Sequence, residues 1–248
     1  MSGELPLTAA QMASVVAQLG TDGRFRYTRG QLFYALVRAG FLPAPGDAAG
    51  ARAAFGVALE RWECDHAPLP TLIRPETLAE RASASTLPAD LADYAAPRAL
   101  VFEDRESLLA FVLNGFHRKI EVACVTLGFP EHVYSRLLRQ VEEGIATKFY
   151  VVRHATPAGY GFADTVSKAL PSGAASLEDL GLTLPWAFRL RLPLSVSAPV
   201  TVPPEVPERD RLLLERGRYA ELFQAAPAEL LGWVYDRISA DAEEVGFG

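Results

Sequence analysis

The stretch FYVVRHATPAG, residues 149–159, decides the fold, because an apolar run passes through a turn into a helical pattern over residues 161–170. Two strand–helix units of the same kind precede it, over residues 99–116 and 121–143. Short apolar runs that alternate with amphipathic helices predict parallel strands joined by crossover helices. The fold class predicted from these residues is α/β with a parallel sheet.

The carboxyl ends of the predicted strands are the candidate functional edge, since functional groups of open parallel sheets gather there. Glu103 follows the first strand, the turn 127–130 follows the second, and the turn 154–159 follows the third. These three segments are therefore expected to lie at one edge of the sheet.

The segment before this region predicts a winged-helix-like domain. Thr8 and Thr28 each stand three residues before a glutamine, which is the pattern of a capping box at a helix start. A third helical pattern covers residues 48–62, and residues 69–73 suggest a short strand or wing. Winged-helix domains can place a helix in a DNA groove, although binding a protein is the alternative.

The candidate nucleic-acid-binding residues are a basic cluster around the second predicted helix, formed by Arg24, Arg26, Arg29 and Arg38. Tyr34 lies off the apolar stripe of the same helix, so we expect it to be partly exposed. As a nucleophile it would need activation and a stabilised leaving group. Packing is the alternative role for a helical tyrosine.

The C-terminal third has less distinctive patterns. Residues 177–194 suggest a strand or an extension of the sheet, and prolines make the next segment an extended connector. Two amphipathic helices are predicted at 208–223 and 227–240, either packed on the α/β domain or docking a partner. The predicted organisation is a winged-helix-like domain at 1–75, a linker at 76–97, an α/β domain at 98–194, and a connector with C-terminal helices at 195–248.

Composition limits the cellular setting and the partners. The chain of 248 residues has no apolar run long enough to cross a bilayer and no signal-peptide pattern at its start, so we expect a cytoplasmic protein with no membrane partner. Cys64 and Cys124 are expected to be buried thiols. The formal net charge of −6 opposes nonspecific DNA binding, so a DNA contact would need a local basic face.

The strand-end motifs resemble those of Toprim domains. Glu103 after the first strand, the Gly128-Phe129-Pro130 turn, and Pro157 with Gly159 in the third turn match that family in order and spacing. Residues 28–34 also resemble the winged-helix segment of topoisomerase VI A-type proteins. Relatives of those proteins include the meiotic double-strand-break transesterase and bacterial Toprim proteins such as the nuclease of the Wadjet system. The resemblance implies that Tyr34 corresponds to the tyrosine that attacks DNA.

The departures from the family indicate a degenerate metal site. Where the family has two aspartates that hold magnesium with the strand-one glutamate, this chain has His154 and Thr156. Glu103 then remains as the only clear ligand, which is a poor set for a hard cation. His154 is expected either to join Glu103 on a softer metal or to form an ion pair with it. Asp104 is expected to be a solvated charge.

Three functions follow as hypotheses. The first is a non-catalytic subunit that binds DNA or docks within a larger DNA-processing or defence complex, with a protein partner, no cofactor and a homodimer as a further expectation. The second is a metal-dependent DNA-cleaving enzyme with Tyr34 and Glu103 as catalytic residues and a rebuilt magnesium site. The third is a pure protein-interaction module. Because His154 and Thr156 replace both aspartates of the family, the sequence favours the hypothesis that the protein is not an enzyme.

Overall fold

A computed structural model describes residues 7–74, 95–172, 175–204 and 206–245, with side chains described as far as residue 240. The predicted linker at 76–97 lies outside the described residues except for its last three. The chain divides into two compact units. Unit 1 is formed by the described residues of Met1–Arg74, Ala155–Pro157 and Thr183–Ala228, and unit 2 by those of Pro75–His154, Ala158–Leu182 and Glu229–Gly248.

In chain order, the helices and strands are α1 (Ala9–Leu19), α2 (Arg29–Arg38), α3 (Ala48–Asp65), β1 (Arg98–Phe102), α4 (Arg105–Leu113), α5 (Phe116–Lys119), β2 (Ala123–Val125), α6 (Glu131–Glu142), β3 (Thr147–Val152), α7 (Pro157–Ala169), β4 (Ala175–Asp179), α8 (Leu184–Arg189), β5 (Ser195–Val196), α9 (Glu208–Glu215), β6 (Arg218–Tyr219), a 3-10 helix (Leu222–Gln224) and α10 (Pro227–Val245).

Helices α1 and α2 begin where their capping residues predict. The Thr8 and Thr28 hydroxyls accept hydrogen bonds from the amides of Gln11 and Gln31, whose side chains bond back to the threonine amides. Each box satisfies amide groups that a helix start leaves unpaired. The predicted wing is a single parallel bridge between Tyr27 and Leu72.

Residues from the C-terminal third complete the core of unit 1. Phe223 is buried in the same apolar cluster as the side chains of α1, α2 and α3. The buried Gln31 amide donates a hydrogen bond to the carbonyl oxygen of Ala225 at 3.1 Å. Gly217, at a φ of +70°, lets the chain turn so close to β5 that a Cβ there would collide with the Ser197 carbonyl oxygen. The N-terminal helices therefore share one core with residues far along the chain.

Unit 2 is a parallel α/β domain, and this part of the predicted fold class is confirmed. The four strands in the described part of this unit run parallel in the order β2-β1-β3-β4. Val101 in β1 lies opposite Val125 in β2 and Val151 in β3. Helices flank the sheet, as short buried strands with crossover helices require.

The strands bury both faces because successive side chains point to opposite sides. Val101 and Val151 face α6 and α7 in one buried cluster. The next residue of β1, Phe102, packs on the opposite face against Phe111 of α4, with ring centroids 4.8 Å apart. Near-continuous apolar strands are the expected consequence.

Two predicted elements and the expected burial of Cys64 differ from the structure. The segment 177–194 is not one strand, because after β4 Thr183 caps α8 and Pro185 sits in its first turn. The helix predicted at 208–223 ends at Glu215, since Gly217 takes a left-handed conformation. Cys64 is exposed, although Cys124 is buried as expected. The predicted boundaries at residues 75, 97 and 194 stay a prediction.

Candidate functional site at the carboxyl edge of the sheet

The strand order indicates which edge of the sheet is the candidate ligand-binding edge. From β1 the chain first moves to β2 on one side and then crosses to β3 on the other side of β1. Ligands of open parallel sheets bind at such a reversal, outside the strands' carboxyl ends. The residues that follow β1 are Glu103 and Asp104, and those that follow β3 are Arg153 and His154. Unit 2 therefore brings Glu103 and His154 together, as the motifs predicted.

Glu103 is held by backbone groups of the β3–α7 turn. Its Oε2 atom accepts a hydrogen bond from the His154 amide at 2.8 Å. A Cβ on Gly159, in the first turn of α7, would lie 3.0 Å from the same oxygen and would collide with the His154 carbonyl oxygen. Only a glycine allows this close approach. The Glu103 carboxylate thus lies at the positive end of α7, where a negative charge is stabilised.

The His154 side chain pairs with Asp104. Its Nε2 atom lies 3.0 Å from Asp104 Oδ2, and Ser107 donates to the same carboxylate from its amide at 2.8 Å and its hydroxyl at 2.7 Å. Burial alone would raise the pKa of Asp104, but the hydrogen bond and charge of His154, together with Ser107, hold it below its ordinary value. The expectation that Asp104 is a solvated charge is therefore wrong, because it caps α4 and pairs with His154.

An ion pair between Arg153 and Asp179 joins the carboxyl ends of β3 and β4. Arg153 is 3% exposed, and its Nε and Nη2 atoms donate to Asp179 Oδ2 at 3.0 Å and 2.6 Å. Its guanidinium also bonds the carbonyl oxygen of Leu182 and lies 3.9 Å from the centre of the Tyr160 ring. Nothing in the sequence pattern singled out Arg153 or Asp179. The usable signal for Arg153 was its place directly after the predicted third strand, whereas no pattern marked Asp179, because the end of β4 was not predicted.

These side chains do not fit a magnesium ion. Glu103 is bonded to a backbone amide, Asp104 to an imidazole, and Asp179 to a guanidinium. Magnesium needs several oxygen ligands or waters around it at near-octahedral geometry. Within the described residues no three His, Cys, Asp or Glu side chains are grouped so that they could hold a metal. Thr156, the second aspartate position, lies in the turn before α7 and supplies no carboxylate.

Tyr34 lies in unit 1 and is not partly exposed as expected, since only 1% of it is accessible. Its hydroxyl donates to Glu221 Oε2 at 2.7 Å and accepts from Ser195 Oγ at 2.8 Å. Arg52 pairs with the same Glu221 carboxylate, and Gln224 donates to Ser195 at 2.8 Å. Burial, with the nearby Glu221 charge, raises the pKa of Tyr34 to about 12. The hydroxyl is therefore kept protonated by its surroundings.

The four arginines of the predicted basic cluster differ in their exposure and in their contacts. Arg24 is exposed, while Arg29 lies against Gly56 and reaches Glu60 at 3.4 Å. Arg38 is exposed and lines a groove of about 220 Å³ between α1 and α2. Arg26 is half-buried. The charge of Arg29 is thus shared with an acid.

No protein-family model matches the chain, and no curated protein matches it either. The relationship to Toprim and topoisomerase VI proteins remains a prediction from the motifs. Among the described helices, none combines the length and the apolar character that a membrane span requires.

Proposed function

We propose that this chain is a non-catalytic subunit that keeps a Toprim-like scaffold and a winged-helix-like part for docking within a larger DNA-processing complex. The observation that carries the proposal is the internal pairing of the carboxylates at the sheet's carboxyl edge. Asp104 is paired with His154 at 3.0 Å, and Asp179 with Arg153 at 2.6 Å. The carboxylates that a cation would need are already bonded to side chains of the protein.

The environment of Tyr34 supports the same interpretation. A nucleophilic tyrosine must lose its proton and reach its substrate. The Tyr34 hydroxyl instead donates to a carboxylate, is buried, and has its pKa raised to about 12. The geometry favours a packing role in which Tyr34 joins α2 to Ser195 and Glu221.

Titration calorimetry with magnesium and manganese tests the proposal, with Glu103→Ala as the control. Neither protein is expected to release heat of binding. The informative comparison is His154→Asp/Thr156→Asp, which returns both carboxylates to the turn and is expected to gain magnesium binding. Heat in the wild-type chain that Glu103→Ala abolishes would overturn the proposal.

Plasmid nicking with the same metals separates a non-catalytic subunit from a DNA-cleaving enzyme. The wild-type chain is expected to leave supercoiled plasmid intact. Magnesium-dependent nicking that both Tyr34→Phe and Glu103→Ala remove would establish the enzyme instead. A gel shift at low salt measures DNA contact on its own, and reversal of Arg24 and Arg38 to glutamate then tests the basic cluster.

A further inference from the structure

One exposed face of α9 has the composition of a contact surface. Arg209, Leu212 and Arg216 are spaced three and four residues apart, so they lie on the same side of the helix. Leu212 is 57% exposed, and both arginines are exposed and have no ion-pair partner among the described residues. We call these three residues the arginine face.

The arginine face is held firmly in unit 1. On the opposite side of α9, Leu214 and Asp210 are buried. The Arg211 guanidinium donates to the Val206 carbonyl oxygen at 3.1 Å, and the close turn at Gly217 secures the other end. An exposed leucine on a rigid helix is presented for contact at little cost in conformational entropy.

Unit 2 carries a surface of opposite charge at the end of α6. Glu142, Glu143 and Ile145 are exposed there, Ile145 by 36%. Neither glutamate has an ion-pair partner within the described part of the chain. The Ile145 amide donates to the Gln140 carbonyl oxygen at 2.9 Å, which fixes the turn. We call Glu142, Glu143 and Ile145 the glutamate turn.

Three of the four charges on these surfaces do not stabilise their own helices. Arg209 lies in the first turn of α9, and Glu142 and Glu143 lie at the end of α6, so these three charges have the sign that the helix dipole disfavours, whereas Arg216 follows the last residue of α9, where the dipole favours it. Each surface also sets an exposed apolar side chain beside two like charges. The two surfaces are therefore complementary in charge and alike in their apolar centre.

The distribution of charge over the chain agrees with this complementarity. The sequence of unit 1 contains 13 arginines, no lysine and 11 acidic residues, a net charge of +2, whereas that of unit 2 has a net charge of −8. Arginine is enriched and lysine depleted at protein interfaces. We infer that two copies of this chain associate, with the arginine face of one copy on the glutamate turn of the other. Leu212 packs on Ile145, and the arginines pair with the glutamates.

This association is independent of the proposed function, because it needs neither a metal nor DNA. Sedimentation equilibrium of the full chain is expected to show a mass that rises with concentration at low salt. Added salt is expected to weaken the association, since exposed charges are screened beyond about 10 Å at 0.1 M. A monomer at every concentration would overturn the inference.

Charge reversal provides the specific test. Arg209→Glu/Arg216→Glu and Glu142→Arg/Glu143→Arg are each expected to weaken association by at least about tenfold, because like charges then face each other. A mixture of these two variants is expected to associate as the wild type does, since both contacts between unlike copies are attractive again. Arg24→Glu/Arg189→Glu changes two exposed arginines elsewhere in unit 1 and controls for net charge.

Association in the mixture of the two charge-reversal variants would also show that both variants are folded and can still bind a partner copy. Wild-type association in either reversal variant, or no association in the mixture of two variants with native circular dichroism, would refute the inference. An effect of the control variant equal to that of the arginine-face variant would also refute it, since net charge alone would then drive association.

Discussion

Replacing Tyr34 with phenylalanine tests whether this tyrosine stabilises unit 1. The change removes the hydroxyl that donates to Glu221 at 2.7 Å and accepts from Ser195 at 2.8 Å. A hydrogen bond to a charged group contributes about 1.5–3 kcal/mol. Glu221 keeps its ion pair with Arg52, so the full penalty of an unpaired buried carboxylate is avoided. We expect a loss of about 2 kcal/mol in the free energy of unfolding.

Urea unfolding followed by circular dichroism measures this loss, with Tyr235→Phe as the matched control. Tyr235 is 36% exposed and its ring contacts Lys119, a contact that phenylalanine retains. The control is expected to change stability by less than about 0.5 kcal/mol. Equal stability of Tyr34→Phe and Tyr235→Phe would refute the stabilising role of the network.

The pH dependence of wild type and Tyr34→Phe gives a second measurement. The Tyr34 pKa is raised from 10.0 to about 12 in the folded chain. Above pH 10 the unfolded chain releases this proton while the folded chain keeps it, so stability falls as pH rises from 10 to 12. The difference in unfolding free energy between the two proteins is expected to shrink over that range. A constant difference would contradict the assigned environment.

Three further predictions concern other buried or strained positions. His117 is 2% exposed with neither ring nitrogen hydrogen-bonded to a described residue, and burial lowers its pKa from 6.5 to about 4. As the pH falls, the unfolded chain therefore binds this proton before the folded chain does. The free energy of unfolding is expected to fall by up to about 3 kcal/mol between pH 6.5 and about 4. His117→Leu should remove this contribution to the pH dependence, as measured by urea unfolding. Gly217→Ala should lower the free energy of unfolding by about 2–4 kcal/mol, because the residue has a left-handed φ and a Cβ would collide with the backbone. Gly144 has the same kind of φ but open space around it, so Gly144→Ala should lower this free energy by about 1 kcal/mol. Similar shifts in melting temperature for both variants would contradict the clash at Gly217. Asp104→Asn keeps a side chain that can cap the helix but removes the carboxylate charge beside His154. Chemical unfolding is expected to show a free energy of unfolding lower by about 1–2 kcal/mol. An unchanged denaturant midpoint would contradict a stabilising role of the Asp104–His154 pair.

Local patterns predicted the elements of this protein well where the relevant forces act within a few residues. Capping boxes at Thr8 and Thr28 mark the starts of α1 and α2, because a helix start is satisfied by residues three positions away. The apolar runs before Glu103 and His154 are parallel strands, because burial on both faces requires continuous apolar sequence. The meeting of these two residues at one edge followed from the parallel order alone.

The partners of each side chain were beyond the reach of local patterns. The imidazole of His154 could be expected on a metal or on Glu103, yet it pairs with Asp104 at a distance that only the β1–β3 register sets. Tyr34 looked exposed from its position on α2, yet Ser195 and Glu221 cover it from more than 160 residues away.

The sequence by itself therefore determined the parallel α/β class, the order of the strands and helices over residues 98–169 and the edge at which polar groups collect, since these depend on periodicity and short-range hydrogen bonds. Tertiary structure decided which side chain each carboxylate meets, that residues 183–228 belong to unit 1, and that Tyr34 is buried there. The physical reason is that long-range contacts depend on how elements pack, and many packings are compatible with the same local pattern.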